Sequence, residues 1–323
     1  MEKLEDLQVL PAQSWVPQWR TQIKRGESLG AGRRYRAARS QVEPISDFLF
    51  EYYGIKPRHL TQWHPGIGLA LLAPTQADSD SQAAYEFWEQ LGQKRFYHQV
   101  ETPAGPAVTL DVQSWVEQRG RGGQFIIDLL STVANREGFY GCLGLHEWAM
   151  VYQGKPRHDL PLRLGAQGAD QLTSSLPIRC THFDAFRFFT PEARPFNQHQ
   201  PDGSAPSMLT LEQPGCLHQN MDLLRYALKL GPLVSTELLL DCFEFALEVR
   251  TLDMAASPYD CSGLGLAPVK IETVEGKAQY IAQQRQFTET GRPLRQALID
   301  ALTAAGYHPS THPQMQEAKE INA

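Results

Sequence analysis

The stretch LHQNMDLLRYALKLGPLVSTELLLDCFEFALEVRTLDM, residues 217–254, decides the fold class. Its first part carries apolar residues at helical spacing over residues 217–230, and Gly231–Pro232 stops it. Ser235 then offers a hydroxyl as an N-cap. Leu238, Cys242, Phe245, Val249 and Leu252 follow in an approximate i, i+4, i+7 series, one apolar stripe on a helix running to about Met254. Two such helices in tandem predict a mainly α fold with small β elements, a multi-helix globular α+β domain.

Working outward, residues 15–25 suit a first amphipathic helix, and residues 26–32, with three glycines in seven, suit its breaker. Ser46 reads as the N-cap of a helix with Phe48, Leu49 and Tyr52 on its apolar face. Residues 81–91 read as a helix. Residues 96–100 and 107–110 flank a Pro-Ala-Gly-Pro turn, a hairpin pattern. Phe125, Ile126, Leu129, Leu130 and Val133 return to helical spacing. Residues 191–214 hold five prolines and predict a long loop. Residues 269–273 alternate like a short strand, and residues 275–305 suit one long helix or two joined near Gly291 and Pro293. The organisation expected is a basic N-terminal helix or arm (1–41), a single catalytic-type domain (42–305) and a C-terminal tail (306–323).

The chain has 323 residues, of which 42% are apolar and 20% charged, enough to bury a sizeable core. Five cysteines with no Cys-x-x-Cys argue against a disulfide framework and fit a reducing compartment. Residues 1–10 are acidic without an apolar core, unlike a signal peptide, and no stretch is long enough to span a membrane. A cytoplasmic protein is the expectation. The net charge of −6 is uneven: residues 20–39 hold seven basic residues (Arg20, Lys24, Arg25, Arg33, Arg34, Arg36, Arg39) against Glu27, so that segment is +6 and the remainder −12. DNA or another phosphate-bearing ligand could dock there, although a solvated face or an arm explains the same charge.

Three stretches each put a cysteine beside a histidine with a carboxylate near: Cys142 to Trp148, Cys180 to Asp184, and Cys216–Leu217–His218 with Asp222. Imidazole, thiolate and carboxylate together suit a zinc or iron centre or a proton-handling pocket. Cys142 and His146 are four apart, as are His218 and Asp222, so on a helix each pair shares a face. His182 and Asp184 are two apart and would share one side of a strand. The metal candidates are His146, His182, His218, Asp222 and Cys142. The candidates for catalysis are His146, Glu147, His182 and Asp184. None of the common zinc spacings is present, and buried cysteines and satisfied core histidines remain an open alternative.

Other side chains point to a substrate pocket. His64 sits in the rigid turn Trp63–His64–Pro65–Gly66. Arg179, Arg187 and Arg194 lie amid Phe183, Phe186, Phe188 and Phe189, where they must find anions or stack on rings. Tyr259 and Asp260 follow a long helix and could reach the same pocket. Phosphate-cradling, dinucleotide-binding and nucleophile-elbow glycine motifs are all absent, which lowers the weight of the chemistries they serve.

Trp63–His64–Pro65–Gly66, the run Leu145 to Tyr152, residues 179–189 and Gln213–Pro214–Gly215–Cys216–Leu217–His218 resemble a bacterial family known mainly as 3-methyladenine DNA glycosylase, over about residues 42–287. Pro65–Gly66–Ile67–Gly68 is similar to the Pro-Gly-Val-Gly hairpin of helix-hairpin-helix glycosylases. His146–Glu147–Trp148 resembles the His-Asp-x-Glu-Trp-Gly stretch of a constitutive alkyladenine glycosylase, with Ala149 in place of Gly. The resemblance implies a hydrolase, a DNA repair N-glycosylase removing alkylated purines. Trp63, Trp148 and Tyr152 would stack a flipped base, Glu147 or Asp184 would activate water or stabilise the sugar cation, and Arg33, Arg34 and Arg36 would meet phosphates. Read from the residues alone, the alternative is a His/carboxylate enzyme, zinc- or iron-dependent or metal-free, acting on a small anionic metabolite. A binding protein with structural histidines is the third reading.

Overall fold

The computed structural model describes residues 7–75 and 79–310. Most of the expected tail and most of residues 1–10 lie outside the described residues. In chain order the elements are β1 (Gln8–Leu10), α1 (Ala12–Ala37), α2 (Ser46–Tyr52), β2 (Leu69–Leu72), α3 (Ser79–Gln93), β3 (Tyr97–Thr102), β4 (Gly105–Leu110), α4 (Val112–Arg119) and α5 (Gly123–Ala134). They continue with α6 (Leu145–Ala149), α7 (Gly165–Ser175), α8 (Phe183–Phe186), α9 (Ala205–Leu211), α10 (Leu217–Leu230), α11 (Thr236–Ala256) and α12 (Val274–Ala304). The fold is mainly α with one small sheet, as expected.

The tandem helices of residues 217–254 form the centre. Gly231, at φ 53°, ends α10, and the Ser235 hydroxyl accepts the Leu238 N–H at 3.2 Å to start α11. Every residue of the α11 stripe except Leu238 is buried. α10 packs against α11 and α12, and α12 against α5. α12 is one helix despite Pro293.

The sheet lies to one side in the order β1-β2-β4-β3, with β1 parallel to β2 and the other pairs antiparallel. β3 and β4 make the expected hairpin. Indole N–H groups tie helices to it: Trp15 donates to Leu72 O and Trp88 to Leu71 O. Among the described residues, no helix is long and apolar enough to cross a membrane.

Several local expectations differ from the structure. Residues 26–32 do not break α1. A Cβ on Gly26 would sit 1.9 Å from Leu60 O, and one on Gly30 would sit 2.9 Å from Pro57 Cβ. These glycines let the helix backbone touch the turn at Pro57–Thr61, so they serve packing. Ser46 is not the N-cap of α2; the Glu43 carboxylate takes the Ile45 and Ser46 N–H groups in that role. Residues 269–273 form no strand: Val269 N–H bonds to Ala255 O, a single tie to α11 with no ladder to extend. The loop at 191–214 contains α9 and a short turn at Arg194–Phe196.

The basic segment runs from Arg20, within α1, to Arg39, just past its end, and the chain's own acids engage part of it. Arg25 meets Asp241 at 2.7 Å and Glu244 at 2.6 Å. Arg36 meets Asp47 at 2.6 Å, and Arg33 meets Asp47 at 3.3 Å and Glu51 at 3.2 Å.

Candidate active site

Three of the four sequence-selected histidines converge. The His146 and His218 ring centroids are 4.6 Å apart and nearly perpendicular; those of His182 and His218 are 5.5 Å apart. All three are buried. His64 does not join them. Its Nδ1 pairs with Tyr97 Oη at 3.0 Å beside the sheet, and burial pushes its pKa down to about 4.

The first half of the site is His146, His218 and Asp253. One ligand atom from each lies within 4.8 Å of the others. His146 Nε2 sits 2.8 Å from Asp253 Oδ1. Asp253 Oδ2 accepts from Arg250 Nη1 at 2.6 Å, and the same nitrogen donates to Glu147 Oε1 at 2.9 Å. Arg250 also lies over the Phe48 ring, 4.1 Å from its centroid.

α6 delivers His146 and Glu147, and an unusual turn delivers α6. Leu143 and Gly144 are both left-handed, with φ of 53° and 71°. This turn, rather than one helical face, brings Cys142 Sγ to 3.5 Å from His146 Nδ1, since α6 begins only at Leu145. Cys142 therefore touches the far nitrogen of His146 and is not one of the three converging ligands. Cys180 donates no ligand either; its thiol bonds to His182 O.

Charges in this half lean on one another. Burial opposes protonation of His146, yet Asp253 and then Cys142 hold its pKa well above the usual histidine value. The neighbouring Cys180 thiol and then His146 prevail over burial and hold the Cys142 thiol well below its ordinary range. Burial and the His146 charge push His218 well down. Against burial, His146 and Arg250 keep Asp253 below the carboxylate range. Burial and neighbouring Asp253 raise Glu147, with Arg250 opposing.

The second half is His182, Glu212 and Asp222. His218 and Asp222 share the first turns of α10, as their spacing implied, but serve different halves. His182 Nε2 is 3.4 Å from Asp222 Oδ2 and 3.6 Å from Glu212 Oε1, both too long or poorly aimed for hydrogen bonds. Asp222 Oδ1 accepts from Tyr53 Oη at 3.0 Å and faces Arg225 Nε at 3.3 Å. Burial works against the His182 imidazolium, and Glu212 and Asp222 prevail, so its pKa rises. Burial pushes Glu212 up to about 7, with His182 opposing.

His182 caps the short α8 rather than lying on a strand. The next turn therefore sends Asp184 outward, where it pairs with Arg187 at 3.0 Å and Arg225 at 2.5 Å, away from the histidines. Arg187 thus finds the chain's own carboxylate, and Arg179 lies over the Phe139 ring. The proposed stacking aromatics are core residues. Trp148 is fully buried with its N–H on Ala256 O. Trp63 packs against Trp15 with its N–H on Gln22. Tyr152 is buried against Phe196. Tyr259 is buried and its Oη accepts the Arg157 N–H.

Sequence reasoning missed Asp253, Arg250, Glu212 and Tyr53. A signal existed for the first two: charged residues within the otherwise buried run Val249 to Ala256 must be paired. Glu212 carried none, because it stands in a stretch that read as loop.

No family model, curated protein or solved structure matches the chain.

Proposed function

We propose that this chain is a metal-dependent enzyme whose centre is His146, His218 and Asp253. The observation that carries the reading is the convergence of two imidazoles and one carboxylate, all buried, from three separate elements. Two histidines and a carboxylate are a donor set of catalytic zinc sites and of the 2-His-1-carboxylate iron(II) class, and both leave coordination positions open. Donor atoms on one such ion stand about 3–3.5 Å apart, so the present spread of up to 4.8 Å would contract on binding. Charge supports the fit. Once His146 gives up its proton to bind a metal, Asp253 and Glu147 against Arg250 leave one negative charge beside two imidazoles. The surroundings also suit ligands, since Arg250 braces Asp253 and the Cys142 sulfur can accept the Nδ1–H of His146.

A divalent ion held there would supply Lewis acidity and an activated water. The chain's own residues would orient and exchange protons. Glu212, poised near neutrality by burial, and His182 are the groups placed to take or return a proton beside His218. Asp222, held by Tyr53 and Arg225, would orient His182.

An N-glycosylase acting on alkylated DNA is the second reading, resting on the quoted stretches. It has less support in the geometry, because Trp63, Trp148 and Tyr152 face the core and part of the α1 basic segment is paired internally. Release of base from alkylated duplex DNA, with salt-dependent binding, would restore it.

Elemental analysis of tag-free protein tests the first reading. Zinc or iron is expected near one equivalent per chain, and lost in His218→Ala. Metal well below one equivalent, with stability unchanged by chelator, removes the reading.

A further inference from the structure

Solvent comes close to the His146, His218 and Asp253 set on one side. Those three residues are each no more than 6% exposed. Cys142, whose Sγ lies 3.5 Å from His146 Nδ1, is partly exposed. It belongs to a strip, Phe139 to Leu143, in which every residue reaches the surface, whereas Gly144 to Ala149 are buried. The Phe139 ring folds back over the strip: a Cβ on Gly141 would sit 2.2 Å from its Cζ. Gln213 fixes the base of that ring, accepting the Phe139 N–H and donating to its carbonyl.

Arg179 stands at the same strip. Its guanidinium lies over the Phe139 ring, 5.7 Å from the centroid, near the outer limit of about 6 Å for such a contact. The next residue, Cys180, neighbours Cys142.

The other arginines around the site are engaged by the chain. Arg136 donates to Glu212 O and Leu209 O, Arg187 and Arg225 pair with Asp184, and Arg250 pairs with Glu147 and Asp253. Arg179 is half-buried, its Nε is shut away from water without an acceptor, and among the described residues no carboxylate pairs with it. A guanidinium offers five N–H donors, accepts nothing and keeps its charge at any ordinary pH. A ring face accepts no fork of N–H groups. What Arg179 lacks is an acceptor with negative charge, and the paired oxygens of a carboxylate or phosphate match its fork.

We propose that Arg179 binds the oxyanion group, carboxylate or phosphate, of the small molecule on which the metal centre acts. That molecule approaches along the strip from Phe139 to Leu143, with the Phe139 ring beside it and Cys142 between it and His146. The inference rests on the metal-enzyme reading only in calling this ligand a substrate; oxyanion binding at Arg179 needs no metal.

Calorimetric titration of the chelator-treated full chain with inorganic phosphate and with acetate tests it, since without metal neither anion can bind to an ion instead. Saturable one-to-one binding of at least one anion is expected, phosphate the tighter if the substrate carries a phosphate and acetate if it carries a carboxylate. Arg179→Gln should weaken that binding by about tenfold or more. Arg179→Lys keeps the charge, loses the fork and should weaken it by a few-fold, which guards against a glutamine variant that fails to fold. Absence of saturable binding of both anions, or wild-type affinity in folded Arg179→Gln, overturns the proposal and leaves contact with Phe139 as the whole role of this residue. Zinc or iron content is read separately and should not change in Arg179→Gln. A chain without metal that still binds the anion through Arg179 defeats only the metal-enzyme reading.

Discussion

His146 Nε2 and Asp253 Oδ1 lie 2.8 Å apart although 107 positions separate them in the chain. α6 brings one and the C-terminal half of α11 brings the other. Asp253→Asn keeps the shape and removes the charge, leaving Arg250 and His146 with one anion fewer. Metal affinity should fall by more than about tenfold, read by competition with a chromogenic chelator. Retention of wild-type affinity would mean that Asp253 is no ligand.

Arg250 is buried between Glu147 and Asp253. Arg250→Leu strands two buried carboxylates, so the loss should be about 3–5 kcal/mol in urea unfolding. A loss below about 1 kcal/mol would show that the acids are solvated or protonated in the native state.

Glu212 titrates at about 7 in the fold against an ordinary 4.5, because burial disfavours its charge. Between those values the native state binds the extra proton, so stability falls as pH rises, by roughly 3 kcal/mol across the window. His182 acts in the same direction: its raised pKa adds stability below the ordinary histidine value that is lost as pH rises through the folded one. In metal-free protein, Glu212→Gln should flatten the decline and be the more stable form at pH 8. Parallel pH profiles for the two proteins would contradict the assignment.

Gly144 is left-handed at φ 71°, and an added Cβ would lie 3.3 Å from Tyr280 and 3.4 Å from Ala256. Gly144→Ala should cost about 1–2 kcal/mol from backbone strain alone and should lower metal affinity, because this turn aims His146. The N-cap change Ser235→Ala should cost about 1 kcal/mol and leave metal affinity alone. Equal effects of both changes on metal would separate the turn from the site.

Local signals were legible where the physics is local. The 217–254 helices, the Ser235 cap and the β3–β4 hairpin follow from periodicity and turn chemistry within a few residues. Glycines misled because Gly26 and Gly30 have the composition of a breaker, while their role is set by Leu60 and Pro57 across space. Residues 269–273 misled because alternation describes burial, and a strand also needs a partner edge.

The histidines were marked by their company, and three of four did meet. Of their working partners, Cys142 and Asp222 were marked, but Asp253 and Glu212 were not. Spacing paired Cys142 with His146, which do touch, and Asp184 with His182, which do not; the fold adds Asp253 to His146 and sets His182 against Glu212 and Asp222. Sequence alone determined the helical class, the main elements and which imidazoles to watch, since backbone hydrogen bonds and apolar stripes repeat over a few residues. Tertiary structure decided which charge faces which, because a buried ion answers to whatever lies within a few ångströms, and packing brings that neighbour from anywhere in the chain.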